Sequence, residues 1–328
     1  MKKIKLFLYG VLVCAVCFHS VTYAAGTSEE IDTEILVEEM NEDNIFEEDM
    51  LEIEEHNYET GEISTTVIEN SDDKEWENFL QSSMENVENL TGEGNEGSAQ
   101  SIIGSDDRNI ISNTTRYPYK CIGKIEIHYK DSNNPEVGTG TLVANNVVLT
   151  AAHVLTPDST RGEVSHIYFY PGRNGSETNG VFTISRACIP KKYTNAATDF
   201  ERDKYDYAVG ILSLGANKGK INLGGYGTAY NFSNILRTQA TLIGYPAGRG
   251  SKMYRHKGTI DMVSEDGAYL LYYQMDSEGG QSGAPLIRYD NGNYYIVGIH
   301  IKGATSLLNM NKGRYITKNI YDLVNKYS

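Results

Sequence analysis

The sequence predicts an all-β protein, two antiparallel six-stranded β-barrels with a C-terminal α-helix. Three observations carry this. Short runs rich in β-branched and aromatic residues recur from Ser101 onward, separated by Gly, Asn and Pro, and this spacing suits an antiparallel sandwich or barrel. The region 101–328 has 328 − 100 = 228 residues, enough for two barrels with a cleft between them. Only the last stretch changes period: Ile320, Leu323, Val324 and Tyr327 form one apolar helical stripe, with Thr317 placed to cap it.

The chain of 328 residues carries a formal net charge of −15, spread unevenly. Residues 1–24 hold three Lys and no acid. Residues 25–100 hold 25 Asp or Glu against one Lys, and residues 101–328 hold 19 acids against 25 Lys and Arg. The net values are +3, −24 and +6, so the acidity belongs to one segment and says nothing about partners of the rest.

Residues 1–24 read as a secretory signal peptide. Lys2, Lys3 and Lys5 precede an apolar run from Ile4 to Phe18, and Thr22-Tyr23-Ala24 offers small residues at a cleavage site. The run is too short for a stable spanning helix, though an uncleaved anchor is the alternative. Cys14 and Cys17 leave with this peptide, and Cys121 and Cys188 remain. Export permits a disulfide between them, but sequence alone does not bring their Cα atoms together. The scattered His and Cys form no metal-site spacing, so no metal or cofactor is expected.

Residues 25–100 are rich in Glu and lack sustained alternation, so they are expected to be largely disordered on their own. They read either as an acidic tail or as a propeptide lying beside a basic domain. Gly92–Ser98 has the composition of a flexible linker.

Strands are expected at Cys121–Tyr129, Gly138–Leu142, Val147–Ala151, His166–Tyr170, Val181–Ile189, Tyr207–Leu212, Ala240–Tyr245, Leu270–Met275, Pro285–Tyr289 and Tyr294–Ile301. Asn145-Asn146 and Asp290–Asn293 supply hairpin turns.

Three motifs carry chemistry. Gly279-Gly280-Gln281-Ser282-Gly283 surrounds a serine with residues that permit tight turns, so its hydroxyl can be exposed. The amides of Gly280 and Ser282 can then form an oxyanion hole. Leu149–Val154 runs from a strand through Ala151-Ala152 to His153, whose small neighbours leave room for an imidazole acting as general base. Tyr205–Val209 sets Asp206 at the mouth of an apolar strand, where an acid needs a hydrogen-bond partner. Each alone has an ordinary reading: a Gly/Ser loop, a core or surface histidine, a solvated turn residue. Together they follow the order His, Asp, Ser on an all-β chain, which selects two barrels and a serine-protease triad.

With these motifs in place, most of residues 101–328 resembles the bacterial glutamyl endopeptidases, trypsin-fold serine proteases that cut after Glu and less often Asp. SIIGSDDRNIISNTTRYPY is similar to a mature N-terminus of that family, GTGTLVANNVVLTAAHVL to its histidine motif and YPGRNG to a following loop. YDYAVGIL is similar to its Asp strand, LIGYPAG to a later segment and MDSEGGQSGAPL to its serine motif. The resemblance implies a triad of His153, Asp206 and Ser282 with Gly280 in the oxyanion hole. It also implies a pocket formed by Ser277, His300 and the free amine of Ser101. A hydroxyl, an imidazole and an ammonium suit a carboxylate side chain.

The sequence departs from the family in places. Ser277 stands where Thr is frequent, Ile301-Lys302-Gly303 follows the pocket histidine, and the cysteine near the family's histidine motif is missing. Lys302 either favours acidic substrates or points to solvent. Asp276, beside Ser277, leaves a trypsin-like preference as a rival, and a catalytically inactive binding module on the same fold is another.

The expected protein is therefore a secreted, monomeric zymogen acting on protein or peptide substrates, without nucleic-acid or membrane partners. Self-trimming after Glu93 and Glu96 is expected. The Gln100–Ser101 bond does not follow Glu, so a separate activating protease is expected there. Calcium at Asp106 and Asp107 is the alternative to a solvated turn.

Overall fold

The computed structural model describes residues 50–69, 71, 102–103, 105–156, 159–223, 235–264, 269–290, 292–304 and 309–328. The expected signal peptide, the expected linker at Gly92–Ser98 and Ser101 lie outside the described residues.

Strands follow in chain order: β1 (Met50–Asn57), β2 (Ile63–Glu69), β3 (Asn109–Ile110), β4 (Ile122–Tyr129), β5 (Ser132–Leu142), β6 (Val147–Thr150), β7 (Val164–Pro171), β8 (Phe182–Pro190) and β9 (Ala208–Leu212). They continue as β10 (Asn222–Leu223), β11 (Gln239–Gly244), β12 (Tyr254–Thr259), β13 (Met262–Val263), β14 (Leu270–Tyr273), β15 (Pro285–Asp290), β16 (Asn293–Lys302) and β17 (Asn311–Tyr315). Helices are few: α1 (Ala152–Leu155), α2 (Lys191–Thr194), α3 (Asp199–Lys204) and α4 (Lys318–Tyr327).

The first sheet runs β2-β1-β8-β7-β4-β5-β6-β9, and an added β8–β9 pairing closes six of its strands into a barrel. The second runs β13-β14-β17-β16-β15-β11-β12-β3 and curls into a half-barrel, with β10 beside β16. The all-β expectation holds. Each strand inferred from alternation has a counterpart, with ends moved by a few residues.

The missed strands have physical reasons. β12 (YRHKGT) and β17 (NKGRY) are polar and contain Gly, so neither alternates clearly. The larger correction is β1–β2, a hairpin inside the segment expected to be largely disordered. It takes its order from the domain: β1 pairs antiparallel with β8, Ile53 opposite Pro190 through Asn57 opposite Arg186. Leu51, Ile53 and Ile68 are buried in the same core as Ala187 and Ile189.

The core of the closed barrel comes from inward residues such as Ile125, Leu149, Phe169, Ile184 and Val209, all at most 1% exposed. The stripe on α4 buries Ile320, Leu323 and Val324, with Tyr327 packed partly against the same core. Thr317 occupies the cap position but makes no capping bond; its hydroxyl instead accepts from Arg314 Nη2 at 3.4 Å. Cys121 and Cys188 are both buried free thiols, and burial pushes them up to about 11 and about 12 respectively.

Candidate active site

His153 stands on α1, directly after β6. Ala151 and Ala152 are fully buried, so the short helix presses onto the core and turns the imidazole outward, about a third exposed (34%). Asp206 enters from the neighbouring strand: β9 pairs with β6 and sets Ala208 opposite Thr150. Thr198 and Glu201 form a capping box that starts α3, the helix ends at Lys204, and Asp206 follows just before β9. Its carboxylate accepts from the His153 backbone amide at 3.0 Å and meets His153 Nδ1 at 2.7 Å. An ionised carboxylate only accepts, so the proton sits on Nδ1 and the lone pair on Nε2.

Burial opposes a charged imidazolium at His153. The Asp206 charge and hydrogen bond, with a smaller pull from Asp203, outweigh it, and the imidazole is raised above its ordinary value of 6.5. Lys302 weakly opposes this. Its ammonium lies 3.5 Å from Asp203, which Lys312 meets at 2.6 Å, so Lys302 neither stands free nor points simply to solvent.

Ser282 comes from the other barrel. Gly280 and Gly283 have φ of +92° and +81°, a region L side chains rarely adopt. A Cβ on Gly283 would sit 2.0 Å from Thr150 Oγ1 and 2.2 Å from the Thr139 carbonyl, so the loop presses against the strand ends that precede His153. Thr139 fastens it there. Its amide donates to the Ser282 carbonyl at 2.8 Å, and its hydroxyl donates to the Gly280 carbonyl at 2.9 Å. That hydroxyl also accepts from the Tyr245 amide at 3.0 Å. Thr150 Oγ1 donates to the Thr139 carbonyl at 2.7 Å. The amides of Gln281, Gly283 and Ala284 donate to the carbonyls of Glu278, His300 and Gln281. Among the described residues, those of Gly280 and Ser282 donate to no protein group, as an oxyanion hole requires.

His300 lies on β16, and its backbone bonds hold the two residues after Ser282: Gly283 N donates to its carbonyl and its amide donates to Ala284 O, both at 2.8 Å. The ring is 2% exposed, with Nδ1 2.6 Å from Tyr273 Oη. Burial, and then the charge of His153, lower His300 to about 3, so it is neutral. Burial keeps Tyr273 a protonated phenol. The Tyr273 hydroxyl also lies 3.4 Å from the Lys312 carbonyl; given to the much nearer Nδ1, its one proton leaves the His300 proton on Nε2, a neutral donor. Ser277, 1% exposed, has a hydroxyl with no hydrogen-bond partner among the described residues.

Asp276 is not a pocket acid. It is fully buried and accepts from the amides of Ile103 at 2.6 Å and Asp107 at 2.9 Å, while its own amide donates to His256 Nδ1. Arg108 straps the same segment to the serine loop, donating to Gln281 Oε1 at 3.0 Å and Glu278 Oε2 at 2.9 Å. Asp106 bonds Arg108 and Arg249; the Arg108 hydrogen bond does most to hold its carboxyl at about 2. The stretch that begins two residues after Ser101 is thus tied to Asp276 and to the serine loop.

The structure thus pairs His153 with Asp206 and ties the loop of Gly280 and Ser282 to Thr139 on the first barrel and, through Gly283 and Ala284, to the backbone of His300, with Ser277 buried five residues before Ser282. Sequence reasoning missed Thr139, Thr150, Tyr273, Arg108 and the true role of Asp276. Only Asp276 left a signal: an acid inside MDSEGGQSG must be either a ligand or a buried anchor.

The family model described as a trypsin-like peptidase domain matches residues 138–299. The chain is 32% identical over 234 residues to the glutamyl endopeptidase of Bacillus licheniformis, across 69% of this chain and 68% of that protein. It is 30% identical over 226 residues to a Bacillus subtilis protein named extracellular metalloprotease, across 68% of each. Among the described residues, no group of three His, Cys, Asp or Glu is placed to hold a metal ion. A solved structure of a Glu endopeptidase in complex with MPD superposes with a TM-score of 0.57 and 25% identity, covering 69% of this chain and 98% of that one. A thermostable serine protease from an extremophilic microorganism shares the fold, with a TM-score of 0.51 and 18% identity over 63% of this chain and 97% of that one. The chain belongs to the trypsin-like serine peptidase family that includes the bacterial glutamyl endopeptidases, and it is a serine endopeptidase.

Proposed function

We propose that this endopeptidase is secreted, cuts after Glu and less often Asp, and is made as a precursor that is activated when a cut before Ser101 severs residues 25–100 from the protease domain. The observation that carries the specificity is the buried hydroxyl of Ser277, five residues before Ser282, which has no hydrogen-bond partner among the described residues. An unsatisfied buried hydroxyl costs about 1–3 kcal/mol, a cost a bound carboxylate removes. His300, neutral and donating from Nε2, supplies a second bond without a fixed charge. The name of the Bacillus licheniformis relative supports the same substrate class.

In this reading Ser282 Oγ attacks the carbonyl after the Glu residue, and His153 Nε2 takes its proton. Asp206 holds the ring by its two bonds and stabilises the imidazolium. The oxyanion points at the free amides of Gly280 and Ser282. His153 then protonates the leaving amine, and water hydrolyses the acyl-enzyme by the same route. The Ser101 amine completes the pocket once cleavage frees it. Glu93 and Glu96 are self-cleavage sites, and another protease cuts before Ser101. The mature enzyme works as a monomer.

A denatured protein digested with the processed enzyme, its cut sites read by mass spectrometry, tests this reading. Cuts clustered after Glu are expected, and Ser282→Ala abolishes them. Cuts after other residues discard the pocket and keep the peptidase. Cuts that persist in Ser282→Ala discard the triad.

A further inference from the structure

The hairpin β1–β2 closes a seam that the barrel itself leaves open. Along β8, β7 pairs only at Phe182 and Thr183. From Arg186 to Pro190 that edge is free of β7, and β1 occupies it for five consecutive register pairs. An exposed edge of this length, next to a buried core, is a template for another strand.

The fit extends beyond the ladder. Leu51, Ile53 and Ile68 turn inward and are at most 5% exposed. The acidic residues of the hairpin meet basic and hydroxyl partners on the domain. Glu55 bonds Arg186 at 2.6 Å and Tyr327 at 2.7 Å, Glu52 meets Lys191 at 2.8 Å, and Thr194 donates to Glu54 at 3.0 Å. Just past the hairpin, Lys318 and Asp322 on α4 hold the backbone of Ser71. At the turn, the Tyr58 hydroxyl donates to the carbonyl of Leu155, the last residue of the helix that carries His153. The segment thus grips the edge strand and the C-terminal helix, and it touches the helix of the catalytic histidine.

We propose that Met50–Glu69 is a strand-donating clamp that stays on the first barrel as a separate polypeptide after the chain is cut between residues 72 and 100. The edge of β8 at Arg186–Pro190 is its docking surface. The segment expected to leave on activation then contributes a lasting part of the fold. The proposal shares the precursor reading only in needing a cut, and the test supplies that cut itself.

The full chain carrying Ser282→Ala, which removes self-digestion, receives a site-specific protease sequence between Gly97 and Ser98. It is cut there and examined by gel filtration and native mass spectrometry. The expected result is co-elution of the two pieces in equal amounts, with the amides of Arg186–Ile189 as protected from hydrogen exchange as before the cut. An N-terminal piece that elutes alone overturns the proposal. Ile53→Asp puts a charge into the core, and Glu55→Lys sets like charges against Arg186. Each is expected to weaken retention of the cut piece at least tenfold. Retention unchanged in both variants overturns the proposal, because the piece would then be held elsewhere.

Discussion

Thr139→Val removes one hydroxyl and preserves shape. Thr139 is fully buried, and its hydroxyl serves two backbone groups, donating to the Gly280 carbonyl at 2.9 Å and accepting from the Tyr245 amide at 3.0 Å. Valine leaves both without a partner in a dry site. Each unsatisfied buried group costs about 1–3 kcal/mol, and about 3 kcal/mol for the pair allows for relaxation of the loop. Part of this falls on the loop itself, because the Gly280 carbonyl helps fix the glycine whose amide faces the oxyanion. The expected outcome is a loss of about 3 kcal/mol in urea unfolding, measured with Ser282→Ala present, and a fall in kcat/KM of about tenfold to a hundredfold from a misplaced donor. Thr139→Ser keeps both bonds and restores most of each quantity. Wild-type stability and activity in Thr139→Val, or equal damage in Thr139→Ser, would refute the reasoning.

Two further outcomes follow from the site. Ser277→Ala is expected to cut kcat/KM on Glu substrates by about tenfold or more, since a hydrogen bond to a charged group contributes about 1.5–3 kcal/mol. Hydrolysis of an ester reporter without an acidic side chain is expected to stay unchanged, and an equal loss on both substrates would place Ser277 outside the pocket. His153 must be neutral to accept a proton, and its raised pKa sets the acid limb of kcat/KM above the ordinary 6.5. Asp206→Asn removes the charge that raises it, so the acid limb moves to lower pH while the rate falls by about 10⁴. The same raised pKa stabilises the fold below the unfolded value, and that contribution is lost as pH rises through the folded one. Asp206→Asn therefore costs more stability in mildly acidic than in alkaline solution; the opposite trend in pH-dependent unfolding would contradict the pairing.

The parts legible in sequence are those in which one residue type leaves few alternatives. Gly280 and Gly283 adopt positive φ, so the serine loop announced itself. His153 and Asp206 stood out because each interrupts an apolar run. Thr139 and Thr150 did not, because a threonine in a strand reads as β-propensity whether or not its hydroxyl braces another barrel. Tyr273 looked like one more core aromatic. The hairpin β1–β2 was hidden for a different reason: its acids dominate the composition, and they are offset by Arg186, Lys191 and Tyr327, 131 or more positions away. No local rule sees such a partner.

In the proposed pocket, the two histidines account for the choice of neutral donors. During attack His153 becomes an imidazolium beside Asp206, and its charge already lowers His300. A fixed cation at the position of His300 would repel that imidazolium and weaken the general base. A neutral imidazole and a hydroxyl bind a carboxylate without this cost, but they supply no net charge against it. In the proposed reading the missing charge is the Ser101 amine, and the bonds from the amides of Ile103 and Asp107 to buried Asp276 anchor the residues that follow it in sequence. In the uncut chain that nitrogen is a neutral amide, while the triad bonds between His153 and Asp206 are already in place. The precursor is therefore expected to hydrolyse a neutral ester reporter at a rate comparable to the processed enzyme and to lose about a hundredfold on Glu substrates, about 2.7 kcal/mol, within the range for a charge-assisted contact. The ratio of the two rates before and after cleavage decides the matter. A proportional rise in both would mean that cleavage assembles the triad or oxyanion hole, and the amine would have no part in choosing the substrate.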